Sequence, residues 1–208
     1  MTKLIFATGN KDKMKEIRAI LSRDGFEILS LKEAGIACTA EENGTTFAQN
    51  AMIKALDVAS KVNDAIVLAD DSGLVIDALG GEPGVYSARY MGENTSYHIK
   101  NAELIRRLEG VPDEKRTARF VCAIAAVMPD GTQFHAEGTI EGQIGYEERG
   151  ENGFGYDPIF YINDMSVSTA ELDPEEKNAI SHRGKALRKI RTLIDEYIGI
   201  NRTGEEKL

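Results

Sequence analysis

Cysteine is nearly absent: Cys38 and Cys122 are the only thiols in 208 residues, and no CxxC pair occurs. That leaves neither a disulfide framework nor a zinc cluster, and both thiols read as packing residues. No uninterrupted apolar run approaches the roughly 20 residues a membrane helix needs, so no membrane partner is expected. Basic residues are in deficit, 25 against 34 acidic, for a net charge of −9. Such a balance excludes a protein that coats nucleic acid through a general positive field, and any polyanionic ligand needs a local answer from a carboxylate-held cation and a few convergent basic side chains. The first residues, MTKLIFATGN, lack the longer apolar region and small-residue cleavage site of a secretory signal, which makes a cytoplasmic location the expectation. Internal repeats and low-complexity linkers are also missing. With 42% apolar and 28% charged residues, the chain reads as an ordinary globular α/β protein of two lobes.

One domain over residues 1–198 and a flexible tail over 199–208 are expected. Residues 3–7 (KLIFA) read as a buried strand, and 13–21 place Met14, Ile17, Ile20 and Leu21 at helical spacing. Residues 27–31 suggest a second strand. Over 47–62, Ala48, Ala51, Met52, Ala55, Ala59 and Val62 mark one helix face, and Asn50, Lys54, Asp57 and Lys61 the opposite stripe. Residues 65–69 (AIVLA) form a strand-length apolar run that is expected to stop at Asp70-Asp71-Ser72-Gly73. A helix is predicted over 96–108, ended by Gly110 and Pro112. Residues 118–128 and 132–140 flank Pro129-Asp130-Gly131 as a hairpin. A short strand follows at 159–162, Pro174 opens a helical segment, and 184–197 forms a basic amphipathic helix.

Thr8-Gly9-Asn10-Lys11-Asp12-Lys13 follows a strand and opens a helix, where free backbone N–H groups favour phosphate. The same Gly-Asn turn also serves backbone geometry alone. It is not a Walker A sequence, which excludes a P-loop nucleotidase. Asp70 and Asp71 end an apolar strand, and adjacent residues on an extended chain point in different directions, so one carboxylate can hold a metal while the other orients its neighbours. Glu41, in the Glu41-Glu42-Asn43-Gly44 loop, is a further candidate ligand, since magnesium takes a few carboxylates and keeps several waters. A turn cap and a solvated charge are the plainer readings of these acids. Lys54 lies one turn after Asn50 and reaches toward the same place or toward solvent. Phe154-Gly155-Tyr156-Asp157 offers two rings for stacking on a flat ligand, or for covering the core. Ser181-His182-Arg183 sets two donor-bearing side chains ahead of a helix, with Lys177 nearby.

Taken together, Thr8-Gly9-Asn10-x-x-Lys13, Asp70-Asp71-Ser72-Gly73-Leu74, Leu79-Gly80-Gly81-x-Pro83-Gly84-x-Tyr86-Ser87-Ala88-Arg89, Gly153-Phe154-Gly155-Tyr156-Asp157-Pro158 and Ser181-His182-Arg183-Gly184 resemble the inosine triphosphate pyrophosphatase family, and within it the bacterial and archaeal dITP/XTP pyrophosphatases. The resemblance runs from about Leu4 to Arg191. It implies an elongated mixed-sheet α/β fold with the active site in a cleft between two lobes, a homodimer, Mg²⁺ as cofactor, and hydrolysis of a nucleoside triphosphate to the monophosphate and pyrophosphate. Residue by residue it implies phosphate binding by Thr8, Gly9, Asn10, Lys11, Asp12 and Lys13, a role for the helix lysine Lys54, and metal-associated catalysis by Asp71 beside Asp70. It also implies a metal-ligand role for Glu41, and nucleotide binding by Ser72, Phe154, Gly155, Tyr156, Asp157, Lys177, His182 and Arg183. A pyrophosphatase for modified pyrimidine triphosphates and a catalytically silent nucleotide sensor are the alternatives, and the joint presence of Glu41, Asp70 and Asp71 favours catalysis over the latter.

Overall fold

A computed structural model describes residues 2–22, 25–162 and 166–205, with side chains to residue 199. The strands are β1 (Thr2–Phe6), β2 (Phe26–Ser30), β3 (Ile66–Ile76), β4 (Thr117–Val127), β5 (Gln133–Ile144), β6 (Phe160–Ile162) and β7 (Val167–Ser168). The helices are α1 (Lys11–Leu21), α2 (Leu31–Ala34), α3 (Phe47–Ala59), α4 (Tyr97–Arg107), α5 (Pro174–Ile180) and α6 (His182–Glu205). Together they make a mixed α/β fold whose sheet has the strand order β2-β1-β3-β4-β5-β6-β7. The chain divides into two compact units, the first comprising Met1–Asp71, Ala123–Glu137 and Gly184–Leu208, the second Ser72–Cys122 and Gly138–Arg183.

In the first unit β1 runs parallel to β2 and to β3. Its core is built from small and β-branched side chains: Ile5, Ala7, Val67 and Ala69 from the strands meet Ala51, Ala55 and Val58 of α3, and Ala123, Ala125 and Val127 of β4. Alanines at Ala51 and Ala55, one turn apart, bring the α3 backbone close to the strands, which is what places the polar side chains of that helix among buried groups. Thr46 starts α3 as half of a capping box with Gln49.

The second unit carries the antiparallel β5-β6-β7 ladder and a bulkier core. Leu74, Ile76, Leu104, Leu108, Phe120, Ile144, Tyr156, Ile159 and Phe160 are its main members. Arg116 is 1% exposed and donates to the carbonyls of Leu108, Ile144 and Gly145 at 2.7 to 2.8 Å, tying the end of α4 to the end of β5.

Several expected boundaries move. β3 does not stop at Asp70-Asp71: it continues through Ser72 and Gly73 to Ile76, because Leu74 and Ile76 supply a second pair of core-facing residues beyond the glycine. Ser30 and Glu33 form a capping box that starts the unforeseen α2. α6 begins at His182 and passes Tyr197 to Glu205, since an interior glycine such as Gly199 weakens a helix by about 1 kcal/mol without ending it. The expected tail therefore falls partly on α6 and partly outside the described residues.

Candidate active site

The pairing of β1 with β3 ends at Phe6 and Leu68, where the Ala7 N–H donates to the Leu68 carbonyl at 2.6 Å. β1 then turns off through residues 7–10 while β3 runs on, so Asp70 and Asp71 lie just past the last β1 partner. Strand alternation sends them to opposite faces. Asp70 meets Lys13 of α1, Oδ2 to Nζ 2.9 Å. Asp71 faces α3, where Asn50 Nδ2 donates to its Oδ2 at 3.1 Å and Lys54 Nζ stands 3.8 Å from its Oδ1. Both acids are buried. Burial pushes the Asp71 carboxyl above the usual aspartate value, and Glu42 adds to that against the opposing pull of Lys54, Asn50 and Lys13. Lys54 answers in kind: burial alone lowers it, but Asp70, Asp71 and Glu42 together hold it above the ordinary lysine value. The result is a buried carboxylate of raised basicity beside a firmly charged ammonium.

Two residues here were not singled out from the sequence. Glu42, rather than the expected Glu41, reaches this group: its Oε2 lies 3.0 Å from Lys54 Nζ, whereas Glu41 is exposed and takes the Asn43 N–H on its main-chain oxygen. Asn50, fully buried, joins the acidic loop to Asp71, since its Oδ1 accepts the Gly44 N–H at 2.8 Å while its Nδ2 holds the aspartate. A side chain on Gly44 would put its Cβ 2.6 Å from that Oδ1, so the glycine is what lets the loop close down. An asparagine one turn before Lys54 on the same face was the available signal.

The Thr8 to Lys13 segment differs in detail from its sequence reading. Asn10 caps α1, its Oδ1 accepting the N–H groups of Asp12 and Lys13 at 2.9 and 3.1 Å, so those two donors already have a partner within the protein. Thr8 Oγ1 accepts the Asn10 N–H at 3.2 Å. Gly9, Asn10, Lys11 and Asp12 are exposed, and a Cβ on Gly9 would meet no atom within 4 Å.

The remaining predicted residues gather in the second unit. Asp157 is their hub: its Oδ2 accepts the Phe154 N–H at 2.8 Å and Lys177 Nζ at 2.7 Å, and its Oδ1 accepts the Thr169 hydroxyl at 3.0 Å. Lys177 Nζ and the Arg183 guanidinium lie 4.9 and 5.6 Å from the centre of the Phe154 ring. Arg183 Nη2 donates to Ser72 Oγ at 3.0 Å. His182, now the first residue of α6 instead of lying ahead of it, stacks on Phe120 with ring centres 4.9 Å apart and planes 15° from parallel. Of the two aromatic rings expected to face a ligand, only Phe154 remains partly exposed. Tyr156 turns into the core, meets Tyr97 edge-on at 5.1 Å, and donates its hydroxyl to the Ser87 carbonyl at 2.7 Å.

Among the described residues no three His, Cys, Asp or Glu side chains form a metal cage. Mg²⁺ does not need one, because it is commonly held by one or two carboxylates with waters and substrate phosphates. Glu42 and Asp71, two carboxylates sharing one lysine, fit that requirement. No described helix is long and apolar enough to cross a membrane.

The chain as a whole is similar to known proteins. The chain is 47% identical over 95% of its length to the dITP/XTP pyrophosphatase of Exiguobacterium sibiricum, covering 99% of that protein. It is 50% identical over 93% of its length to the dITP/XTP pyrophosphatase of Desulforamulus reducens, covering 96% of it. The Ham1 protein structure of Staphylococcus aureus superposes with a TM-score of 0.84 at 37% identity, over 94% of this chain and 100% of that one. The Ham1 family model matches residues 4–193, a span that holds every candidate residue from Thr8 to Arg183, and the chain belongs to the Ham1 family.

Proposed function

We infer that this protein hydrolyses purine nucleoside triphosphates carrying hypoxanthine or xanthine, ITP, dITP and XTP, to the monophosphate and pyrophosphate, thereby clearing the nucleotide pool of bases that would otherwise enter DNA and RNA. The observation that carries this reading is the similarity to dITP/XTP pyrophosphatases along almost the whole of both chains. The buried Asp71 with its raised pKa, flanked by Lys54, Asn50 and Glu42, supports a hydrolytic role.

In the proposed mechanism the Thr8 to Asp12 turn, exposed from Gly9 onward, and the Lys13 and Lys54 ammonium groups receive the triphosphate. Gly9 leaves open room for a close approach. Glu42 and Asp71 would hold Mg²⁺, and the charge neutralisation it would supply when bound is that of the phosphates and the leaving pyrophosphate. Asp71 accepts the proton of the water that attacks the α-phosphorus, and the bond to the β-phosphate oxygen breaks. Asp70 keeps Lys13 in place. Phe154 stacks on the base, and Lys177, His182, Arg183 and Ser72 supply the donors around it. Asp157 aligns both Lys177 and the Phe154 peptide. Incubation with ITP and Mg²⁺ is expected to release pyrophosphate, one per IMP formed, and excess chelator to stop the release. Orthophosphate as the first product would refute the reaction class.

A homodimer is proposed as well. Tyr86, in the glycine-rich segment that follows β3, is 60% exposed, and Met91 and Ile99 of the same unit are 49% and 52% exposed, an apolar display that suits burial against a second copy. Sedimentation velocity at micromolar concentration is expected to give a species near twice the chain mass of 22.8 kDa. A monomer throughout that range would reject the dimer.

A further inference from the structure

The inner face of α4 breaks its own pattern. Positions 97, 100, 101, 104 and 108 follow helical spacing, yet beside Leu104 and Leu108 the stripe holds Lys100 and Asn101, each 1% exposed. Burying an asparagine where a leucine would pack is unfavourable unless its hydrogen bonds return something. Asn101 Nδ2 donates to Glu148 Oε1 at 2.7 Å and to the Gly155 carbonyl at 3.3 Å, while its buried Oδ1 has no hydrogen-bond partner among the described residues. The second oxygen of Glu148 is held by His98 Nδ1 at 2.6 Å. Asn101 thus keeps an unsatisfied acceptor in order to hold one peptide.

That peptide lies inside the loop assigned to the base. Gly155 has φ +72°, which an L side chain adopts only with strain, and its missing Cβ would lie 3.6 Å from the Tyr97 ring. Its neighbour Phe154 is fixed on one side by the short bond from its N–H to Asp157, and on the other by the long bond its carbonyl accepts from the Asp157 N–H at 3.4 Å and by the Gly155 carbonyl that Asn101 holds. We propose that Asn101, braced by Glu148, is a positioning residue that sets the Phe154 ring for the purine through its hydrogen bond to the Gly155 carbonyl. This rests on the reading that Phe154 to Asp157 receive the base. No atom of Asn101 need touch substrate. Lys100, the other buried polar residue of the stripe, donates its Nζ to the Ala88 carbonyl at 2.8 Å.

The test compares binding of IMP, which carries the base, with binding of inorganic pyrophosphate, which does not, by titration calorimetry, and adds steady-state kinetics on ITP. Asn101→Leu keeps the volume and removes the donors. It is expected to weaken IMP and raise KM for ITP about tenfold, the scale of a buried carbonyl left without its donor, with pyrophosphate binding and kcat within about twofold of wild type. Glu148→Ala, at a side chain 30% exposed, is the second variant should the first not fold. It is expected to show the same split, and the double variant no more than the larger single effect. Glu148→Gln retains an acceptor for Asn101 and should recover most of the IMP affinity. Equal weakening of IMP and pyrophosphate, unchanged IMP affinity, or independent effects in the double variant would each overturn the proposal. A wild-type protein that binds IMP no better than ribose 5-phosphate would remove the base-loop reading, and this proposal with it.

Discussion

Asp71→Asn is expected to lower kcat on ITP by about 10² to 10⁴, the usual contribution of a positioned general base, without lowering the melting temperature. The second half of that expectation follows from the pKa. Burial and Glu42 raise the folded-state value of Asp71 above that of the unfolded chain, so the folded protein binds the proton more tightly. The stability this residue contributes is therefore fully present below the unfolded aspartate pKa and is lost as pH rises through the raised folded value. At neutral pH the ionised Asp71 is a burden on the fold that an uncharged amide of the same shape relieves. Asn50 Nδ2 can still donate to the amide oxygen, and Lys54 keeps Glu42 at 3.0 Å. The same shift sets a direction for the metal-free protein, in which Asp71 should take up its proton above the ordinary aspartate range. Bound Mg²⁺ opposes that shift, so the acid limb of kcat/KM for ITP, where protonation removes the base, should move to lower pH as Mg²⁺ is raised. Thermal melts and ITP turnover on the same preparation check both halves. A variant with most of the wild-type kcat would remove Asp71 from the base role, and one that loses activity only in proportion to lost folded protein would make it structural.

Much of the fold could be read from periodicity because the signals that start and stop its elements are sequence-local: the apolar face of α3 and the turn at Pro129-Asp130-Gly131 sit where spacing puts them, with the Gly131 N–H closing on Met128. The family resemblance, carried by motifs in order along the chain, is borne out by the family match over residues 4–193 and by near full-length identity. What could not be read depends on contacts between distant segments. Ser72-Gly73 resembles a turn, and only the second core around Leu74 and Ile76 makes it the middle of a strand. Glu41 and Glu42 are chemically alike in sequence, and the choice between them is made by the Asn50 side chain, eight residues on, which holds the Gly44 peptide and so aims the loop. Tyr156 and Phe154 are both aromatic neighbours of glycine, but a hydroxyl that can reach the Ser87 carbonyl draws the tyrosine inward and leaves the phenylalanine at the edge. In the last two cases a polar side chain completes the arrangement, and hydrophobic patterning carries no record of where such a chain points.

The second large expected effect is on base selection, through the base contact proposed for Arg183. This side chain is 3% exposed, with Nη2 donating to Ser72 Oγ at 3.0 Å and its guanidinium 5.6 Å from the centre of the Phe154 ring. A guanidinium has donors and no acceptor. It therefore matches the carbonyl at C6 of hypoxanthine and xanthine and opposes the amino group of adenine, donor against donor. Because the group is buried, a mismatched partner cannot be replaced by solvent, and each unpaired polar atom costs about 1 to 3 kcal/mol. Arg183→Ala is expected to lower kcat/KM for ITP by about 5- to 150-fold, the same free energy expressed as a rate ratio, and to change that for ATP far less, so that the preference between them narrows. Ribose and deoxyribose substrates should respond alike, because the proposed contacts ignore the 2′ position. Guanine shares the C6 carbonyl, so the GTP rate should fall along with that of ITP, its discrimination lying at C2, which Arg183 does not read. Parallel measurement of kcat/KM for ITP, dITP, GTP and ATP on the variant and the wild type decides the matter. A uniform loss across all four would make Arg183 a phosphate or structural residue, and would move the choice of base to His182, Lys177 and the Phe154 loop.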